Sequence, residues 1–453
     1  MAAEVRRGMA RRSHVCWSES DDTPGHEWIE RASERVSAAL ADDHVDLTRL
    51  RHRGFQAAAL DKDILARHNR RYSLRLPFGK IENQERSGNC WLFAPTVLVR
   101  AAALRAKRIS STESFSETYL YFFNLLLRAH ASLARIGRIT AREDAVGRDT
   151  LRRGLSREVM GLADGGEWEW AFNLIETYGL VPSGRMPVTA SAKSTQPLNV
   201  DLHERLARAT RAIAKAPKKY DSIREEAMID VMRILVAHLG QPPSTMHHRG
   251  RTLSPCEFAK QVVGFGADEW RIVISNPLLA FHRVYVQRGS AITPGAKRFN
   301  LQRLNVPQRR MRSLVRASLE AGHAVGFSAD VDRNDIDHNS GIMHPRIFNR
   351  ARVYGDRLIR DLPRRDDIYF GTASSKHAMA IVGLDEAKPG AAAIKYRVAN
   401  SWGPDLGDKG IYHMYAEWFE ENVFKLAVHD SVLNDREREA YAHLEPVRGG
   451  RFY

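Results

Sequence analysis

The residues of this sequence best suited to chemistry are a cysteine at the start of a helix and, far downstream, a histidine and an asparagine. In residues 83–94, NQERSGNCWLFA, Cys90 follows Ser87, Gly88 and Asn89, types that form turns and helix N-caps. Cys90 is therefore expected in the first turn of the next helix. The dipole and unpaired N–H groups at that end favour a thiolate and so lower the thiol pKa; the thiolate is the nucleophilic form. Gln84, six residues earlier, can aim its side-chain NH2 at the same point. Together with the Cys90 backbone N–H it would hold the oxyanion of a tetrahedral intermediate. Taken alone, a free cysteine is more simply a buried apolar thiol.

His377 opens KHAMAIVGLD (376–385), which reads as a buried strand. In IKYRVANSWG (394–403), Ile394, Tyr396, Val398 and Asn400 alternate with Lys395, Arg397 and Ala399, so a period of two puts Asn400 on the apolar face. A buried amide without a partner costs about 1–3 kcal/mol, so Asn400 needs one. The imidazole N–H of His377 serves, and Asn400 then sets the tautomer and orientation of the ring. Trp402, two residues on, is placed to shield that bond from water. Singly these residues are ordinary: a strand-end histidine, a turn asparagine, a core tryptophan. The ordered set Q-x5-C-W, H-A, N-S-W-G is specific, because it supplies nucleophile, base and orienter for acyl transfer in the arrangement of papain-like enzymes.

The elements that must position these groups follow from local patterns. Residues 1–75 read as an N-terminal arm with a helix over Trp28 to Leu40. Residues 76–185 read as a helical lobe, with helices over 90–108 and 115–137. Pro95 lies inside the first of these and should kink it. Residues 186–300 read as a helical insertion and candidate oligomerisation element, its helices over 202–240 ended by Gly240 and Pro242-Pro243. Short β-like runs begin near residue 272, and residues 301–430 form a β-rich lobe carrying His377 and Asn400, followed by a tail at 431–453. Helices first and strands later indicate an α+β fold with segregated layers.

The chain of 453 residues is long enough for one large catalytic unit with insertions or for two to three lobes. Three cysteines without regular spacing (Cys16, Cys90, Cys256) fit reduced thiols and a cytoplasmic location. No apolar run approaches the roughly 18–20 residues that cross a bilayer, so no membrane partner is expected. The start, MAAEVRRGMARRSHVCW, lacks the apolar stretch of a secretion signal. The net charge of +15 suggests a surface for nucleic acid, but the basic residues are scattered, which favours a solvated basic face. Neither CxxC, HExxH nor a phosphate-binding loop occurs, and the run from Asp330 fails as a calcium loop at Asp335 and Gly341. No metal or cofactor is called for.

With these motifs in view, the sequence resembles the bleomycin hydrolase and aminopeptidase C family of papain-like cysteine peptidases. Besides NQERSGNCWLFA, KHAMAIVGL and ANSWG, the resemblance rests on FSETYLYFF (115–123), DGGEW (164–168), ETYGLVP (176–182), LGQPP (239–243), LSPCEF (253–258) and MRSLVRASLEAGHAVGFSADV (311–331). It is looser from Phe281 to Arg310. It implies a papain-like fold, a helical lobe plus an antiparallel β lobe with helical insertions, and hydrolysis of peptide or amide bonds through a thiol acyl-enzyme. Gln84, Cys90, His377 and Asn400 then take the roles argued above. Gly165 and Gly166 match substrate-binding glycines, whose bare backbone lets an extended peptide pair with the enzyme, and Trp402 joins them as a substrate-contact candidate. The resemblance further implies peptide substrates, aminopeptidase action and a homohexameric ring. Two departures bear on this. Asn89 stands where the family often has Arg. The chain also ends EPVRGGRFY (Glu445 to Tyr453), shorter than and different from the family's tail, whose carboxylate meets the substrate amine. Endopeptidase action, a basic nucleic-acid-binding ring with secondary peptidase activity, and an inactive scaffold are the alternatives.

Overall fold

A computed structural model describes residues 25–42, 47–141, 148–162, 164–287, 300–333, 335–354 and 362–447. Cys16 and the C-terminal residues through Tyr453 lie outside the described residues. The chain divides into two compact units, Met1–Leu60 with Asn349–Arg360, and Asp61–Phe348 with Asp361–Tyr453. The first contains helices α1 (His26–Asp42) and α2 (Leu47–Ala59), the latter broken at Gly54, whose φ is 80°. Within it, Phe55 stacks on Tyr354 at 6.0 Å and the Arg350 guanidinium lies over the Phe55 ring.

The second unit begins with its helices. α3 (Cys90–Arg105) is apolar on nearly every side and accordingly buried, Trp91, Leu92, Leu98, Val99 and Ala101 among its covered residues. The kink expected at Pro95 does not interrupt it: one helix runs through, since a proline removes a single backbone bond and packing holds the rest. α4 (Glu117–Thr140) is capped by Ser116, whose Oγ accepts the Tyr119 N–H at 3.1 Å. α5 (Trp168–Tyr178), α6 (Gln196–Lys215) and α7 (Tyr220–Leu239) join the layer, with the helix Arg148–Val159 packed against α4 and α6. α7 stops where Gly240 takes a φ of 90° ahead of Pro242-Pro243, as the sequence signals require.

The strands of the described residues are β1 (Leu74–Arg75), the hairpin β2 (Met246–His248) and β3 (Arg251–Leu253), β4 (Trp270–Ile274), β5 (Arg283–Gln287), β6 (Leu301–Asn305), β7 (Val325–Ala329), β8 (Ile336–Asp337), β9 (Ile342–Met343), β10 (His377–Glu386), β11 (Ala393–Ala399), β12 (Ile411–Tyr415), β13 (Val423–His429) and β14 (Leu444–Pro446). All but the hairpin join one sheet in the order β14-β5-β6-β4-β13-β7-β10-β11-β12-β9-β8, with β1 beside β10. Pairing is antiparallel except at β4/β6, β5/β14 and β9/β12. The region 186–300, read as helical, thus also contributes strands to the sheet.

β10 is the hinge between two cores. Its Ala378, Ala380 and Val382 join the core built with α3, α4 and α5, while Met379, Ile381 and Leu384 join the core under α8 (Gln308–Glu320). The two alanines on the helix side let α3 lie close on the strand that starts with His377. The alternation expected along β11 holds only in part. Ile394 is 44% exposed, whereas Lys395 is buried and paired with Asp385 and with Asn69 Oδ1 at 3.1 Å. Ile394 lies at the start of β11, where the strand is still exposed, whereas the ion pair with Asp385 satisfies the buried Lys395 ammonium internally.

Candidate active site

Cys90 is the first residue of α3. The Asn89 carbonyl accepts the Leu92 and Phe93 N–H groups at 2.8 and 3.2 Å, which starts the helix, while the Asn89 side chain makes no capping bond. His377 is the first residue of β10, paired with Ala329 of β7. Asn400 directly follows β11, and its backbone N–H meets the Gly410 carbonyl at 3.3 Å. The neighbouring strands therefore deliver both side chains to one end of the sheet. His377 Nε2 and Asn400 Oδ1 are 2.8 Å apart, and the same oxygen accepts the Ser401 N–H at 2.8 Å. That backbone contact fixes the amide with its oxygen toward the ring, so His377 is the tautomer with hydrogen on Nε2 and a lone pair on Nδ1. Trp402 stacks on the imidazole, centroids 4.5 Å apart and planes inclined by 19°, and is itself wedged by His338 and Tyr412.

Gln84 is tied to the same turn. Its backbone N–H donates to the Ser401 carbonyl at 2.8 Å and its Oε1 accepts the Ser401 hydroxyl at 2.6 Å. Its Nε2 donates one hydrogen to the Ser87 carbonyl at 2.7 Å, and a second remains. Ser401 was not singled out from sequence, although it lies inside the N-S-W-G motif; it joins the asparagine to the glutamine. Glu85 next to Gln84 sits in the left-handed region at φ 52°, supported by its N–H bond to Asn83 Oδ1.

The backbone N–H groups of Ala378, Trp91 and Cys90 itself act on the Cys90 thiol, and Ala378 is the residue after His377. Those donors favour the thiolate, as expected of a helix N-terminus. Burial opposes them and is larger: it pushes the thiol up from its ordinary value, and the charge of Asp164 adds to the rise. Burial thus outweighs the expected lowering of the thiol pKa. Burial likewise lowers His377 to about 4, against the raising effect of the Asn400 bond and of Asp332.

Gly165 and Gly166 precede α5 and differ in what they offer. Gly165 has a φ of 91° and open space where a side chain would stand. Its N–H is bound by the Gly88 carbonyl at 3.2 Å and its carbonyl by Arg128 Nη1 at 3.2 Å. Gly166 makes no backbone–backbone hydrogen bond among the described residues, so its peptide edge is open to a partner strand. A Cβ on Gly166 would stand 2.3 Å from the Trp91 indole, so glycine is obligatory there. Among the described residues no group of three or more His, Cys, Asp or Glu side chains could hold a metal ion; Asp330 is instead paired with Arg333 and Lys376.

The family model described as the Peptidase C1-like family matches residues 26–448. Aminopeptidase W of Lactobacillus delbrueckii subsp. lactis is 29% identical over 394 residues, spanning 83% of this chain and 87% of the relative. Bleomycin hydrolase of Rattus norvegicus is 27% identical over 391 residues, spanning 81% and 84%. The crystal structure of PepW from Lactobacillus rhamnosis superposes with a TM-score of 0.83 at 21% identity, covering 94% of this chain and 98% of that one; this is a likeness of fold. The α+β expectation and the papain-like architecture are thereby met.

Proposed function

This chain belongs to the Peptidase C1-like family, and from that premise we propose that it is a cysteine aminopeptidase that cleaves the peptide bond through a Cys90 acyl-enzyme. The observation that carries the reading is the 2.8 Å bond between His377 Nε2 and Asn400 Oδ1 beside a thiol at a helix N-terminus. With Nε2 committed, the base is Nδ1. The Cys90 proton passes to Nδ1 as the sulfur bonds the scissile carbon and the carbonyl electrons move to oxygen. The Cys90 N–H and the remaining Nε2 hydrogen of Gln84 hold that oxyanion. Collapse breaks the C–N bond, and the imidazolium protonates the departing amine. Water then gives a proton to His377 and attacks the thioester, and the acid leaves as the proton returns to sulfur. Gly166 pairs with the extended substrate backbone, since its N–H and C=O are uncommitted.

Aminopeptidase action is favoured by the relatives, several of which are named aminopeptidases. The tail expected to meet the substrate amine lies outside the described residues. The deciding experiment compares an unblocked aminoacyl fluorogenic amide with its N-acylated twin, using wild type and Cys90→Ala. Cleavage of the free-amine substrate alone, lost in the variant, is expected. Cleavage of the blocked twin would make the enzyme an endopeptidase, and turnover by a clean Cys90→Ala preparation would remove Cys90 from its role. The reading extends to a cytoplasmic homo-oligomer, hexameric by resemblance, which light scattering on the purified chain tests. The net charge of +15 supports a second reading, a polyanion-binding surface. Retention on DNA that weakens steeply with salt would favour it, and no retention at low salt would remove it.

A further inference from the structure

We propose that Asp164 is a positioning residue that sets the geometry of the nucleophile turn and of the substrate-pairing edge at once. The inference rests on the proposed thiol peptidase activity. The Asp164 carboxylate is filled by four donors: Oδ2 accepts the Gly88 N–H at 2.9 Å and the Thr195 hydroxyl at 2.5 Å, and Oδ1 accepts the Tyr121 hydroxyl at 3.0 Å and Asn199 Nδ2 at 3.2 Å. Gly88 lies two residues before Cys90, in the turn that also holds Ser87, the acceptor of Gln84 Nε2. The tie runs in both directions, since the Gly165 N–H returns to the Gly88 carbonyl at 3.2 Å. The approach is too close for any side chain at Gly88, whose Cβ would stand 2.6 Å from the Asp164 Cβ.

One carboxylate thus joins three pieces remote in sequence: the turn that aims Cys90 and Gln84, the glycine pair leading to Gly166, and the helical insertion through Thr195 and Asn199 at the start of α6. The insertion grips the same turn again where the Arg86 N–H meets the Lys193 carbonyl at 2.9 Å. A shift of this carboxylate moves the oxyanion donors relative to the substrate strand, and a misplacement on the order of 1 Å can cost about 100-fold in rate. Its charge also lies close enough to the thiol to oppose thiolate formation. A merely structural anchor would have no such effect on Cys90.

The test is Asp164→Asn, which keeps the shape but turns an amide NH2 toward two of the four donors. Steady-state hydrolysis of the unblocked amide and the pH dependence of Cys90 alkylation by iodoacetamide are measured on wild type and variant. The expected result is a kcat lowered about 10- to 100-fold with KM changed less, together with an alkylation midpoint moved to lower pH. A folded variant with wild-type kcat overturns the proposal. So does a variant that loses activity while its alkylation profile superimposes on that of wild type, since that marks an anchor without influence on the thiol. If wild type hydrolyses neither amide, the peptidase reading fails by itself and the alkylation arm still decides the role of Asp164. If Asp164→Asn does not fold, Thr195→Val removes one donor more gently: kcat about fivefold lower with KM unchanged is expected, and an unchanged kcat overturns the proposal.

Discussion

At the scale of single residues, the site is governed by which hydrogens are already committed. Asn400 Oδ1 is held by Ser401 and in turn holds His377, so the base is preset before substrate arrives. Burial that lowers His377 to about 4 keeps it neutral, and thus competent as a base, at every pH above that value. The acid limb of kcat/KM is therefore expected close to pH 4, well below the usual histidine range, as measured on the free-amine substrate. Asn400→Asp places a carboxylate against the ring and favours the imidazolium. The same limb should move to higher pH in that variant, and a limb that stays or moves down would contradict the assigned contact. Gly166→Ala drives a methyl group into the Trp91 indole. We expect a loss of about 1–3 kcal/mol in denaturant unfolding, with KM raised because the substrate edge moves.

At the scale of elements, the loop between Gly166 and α5 is welded to the sheet by charge. Glu167, the N-cap residue of α5, meets Arg303 of β6 and Lys425 of β13, each at 2.7 Å. Arg303 also meets Glu169 at 3.0 Å, so two cations and two carboxylates balance in a buried patch. Burial works against the charged form of Glu167, but the two cations outweigh it and hold the carboxyl well below its usual range. Removing one partner leaves the others desolvated and uncompensated. Lys425→Met should cost on the order of 3 kcal/mol in urea unfolding. Because the patch adjoins Gly166, it should also raise KM more than it lowers kcat; a variant as stable as wild type would show that the patch contributes nothing net.

At the scale of the molecule, buried ionisable groups of opposite kind limit stability from both sides. Burial is the first cause that lowers His68, His323 and His377 to about 4 and His413 to about 3, from an ordinary value of 6.5. Between those values the unfolded chain binds more protons than the folded one. The stability these residues contribute is thus complete above about 6.5 and lost as pH falls through the folded values. Glu117 and Asp335 are raised to about 7, first by burial, so they keep a proton that the unfolded chain has released. Their contribution is complete below their ordinary values and lost as pH rises through about 7. Thermal unfolding should therefore be most favourable to the fold near pH 6.5. Glu117→Gln should flatten the alkaline decline, being more stable than wild type by about 3 kcal/mol at pH 8 and little different at pH 4. A variant less stable than wild type at pH 8 would reverse the assignment.

What the sequence determined by itself was local or ordinal. Turn formers ahead of an apolar helical run place Cys90 at a helix start, and short-range backbone preferences are enough for that. The order of cysteine, histidine and asparagine pointed to the His377–Asn400 bond, and Gly240 with Pro242-Pro243 ended α7 where expected. What only the tertiary structure decided depends on burial and on partners remote in sequence. Period-two alternation knows neither where a strand leaves the core nor which cation has a buried partner, so it misplaced Ile394, exposed at the start of β11, and Lys395, buried against Asp385. The direction of the thiol pKa came from desolvation, which a helix-dipole argument does not contain. Asp164 carries no local mark within DGGEW, because its partners come from positions 88, 121, 195 and 199, and only folding brings those donors to one carboxylate.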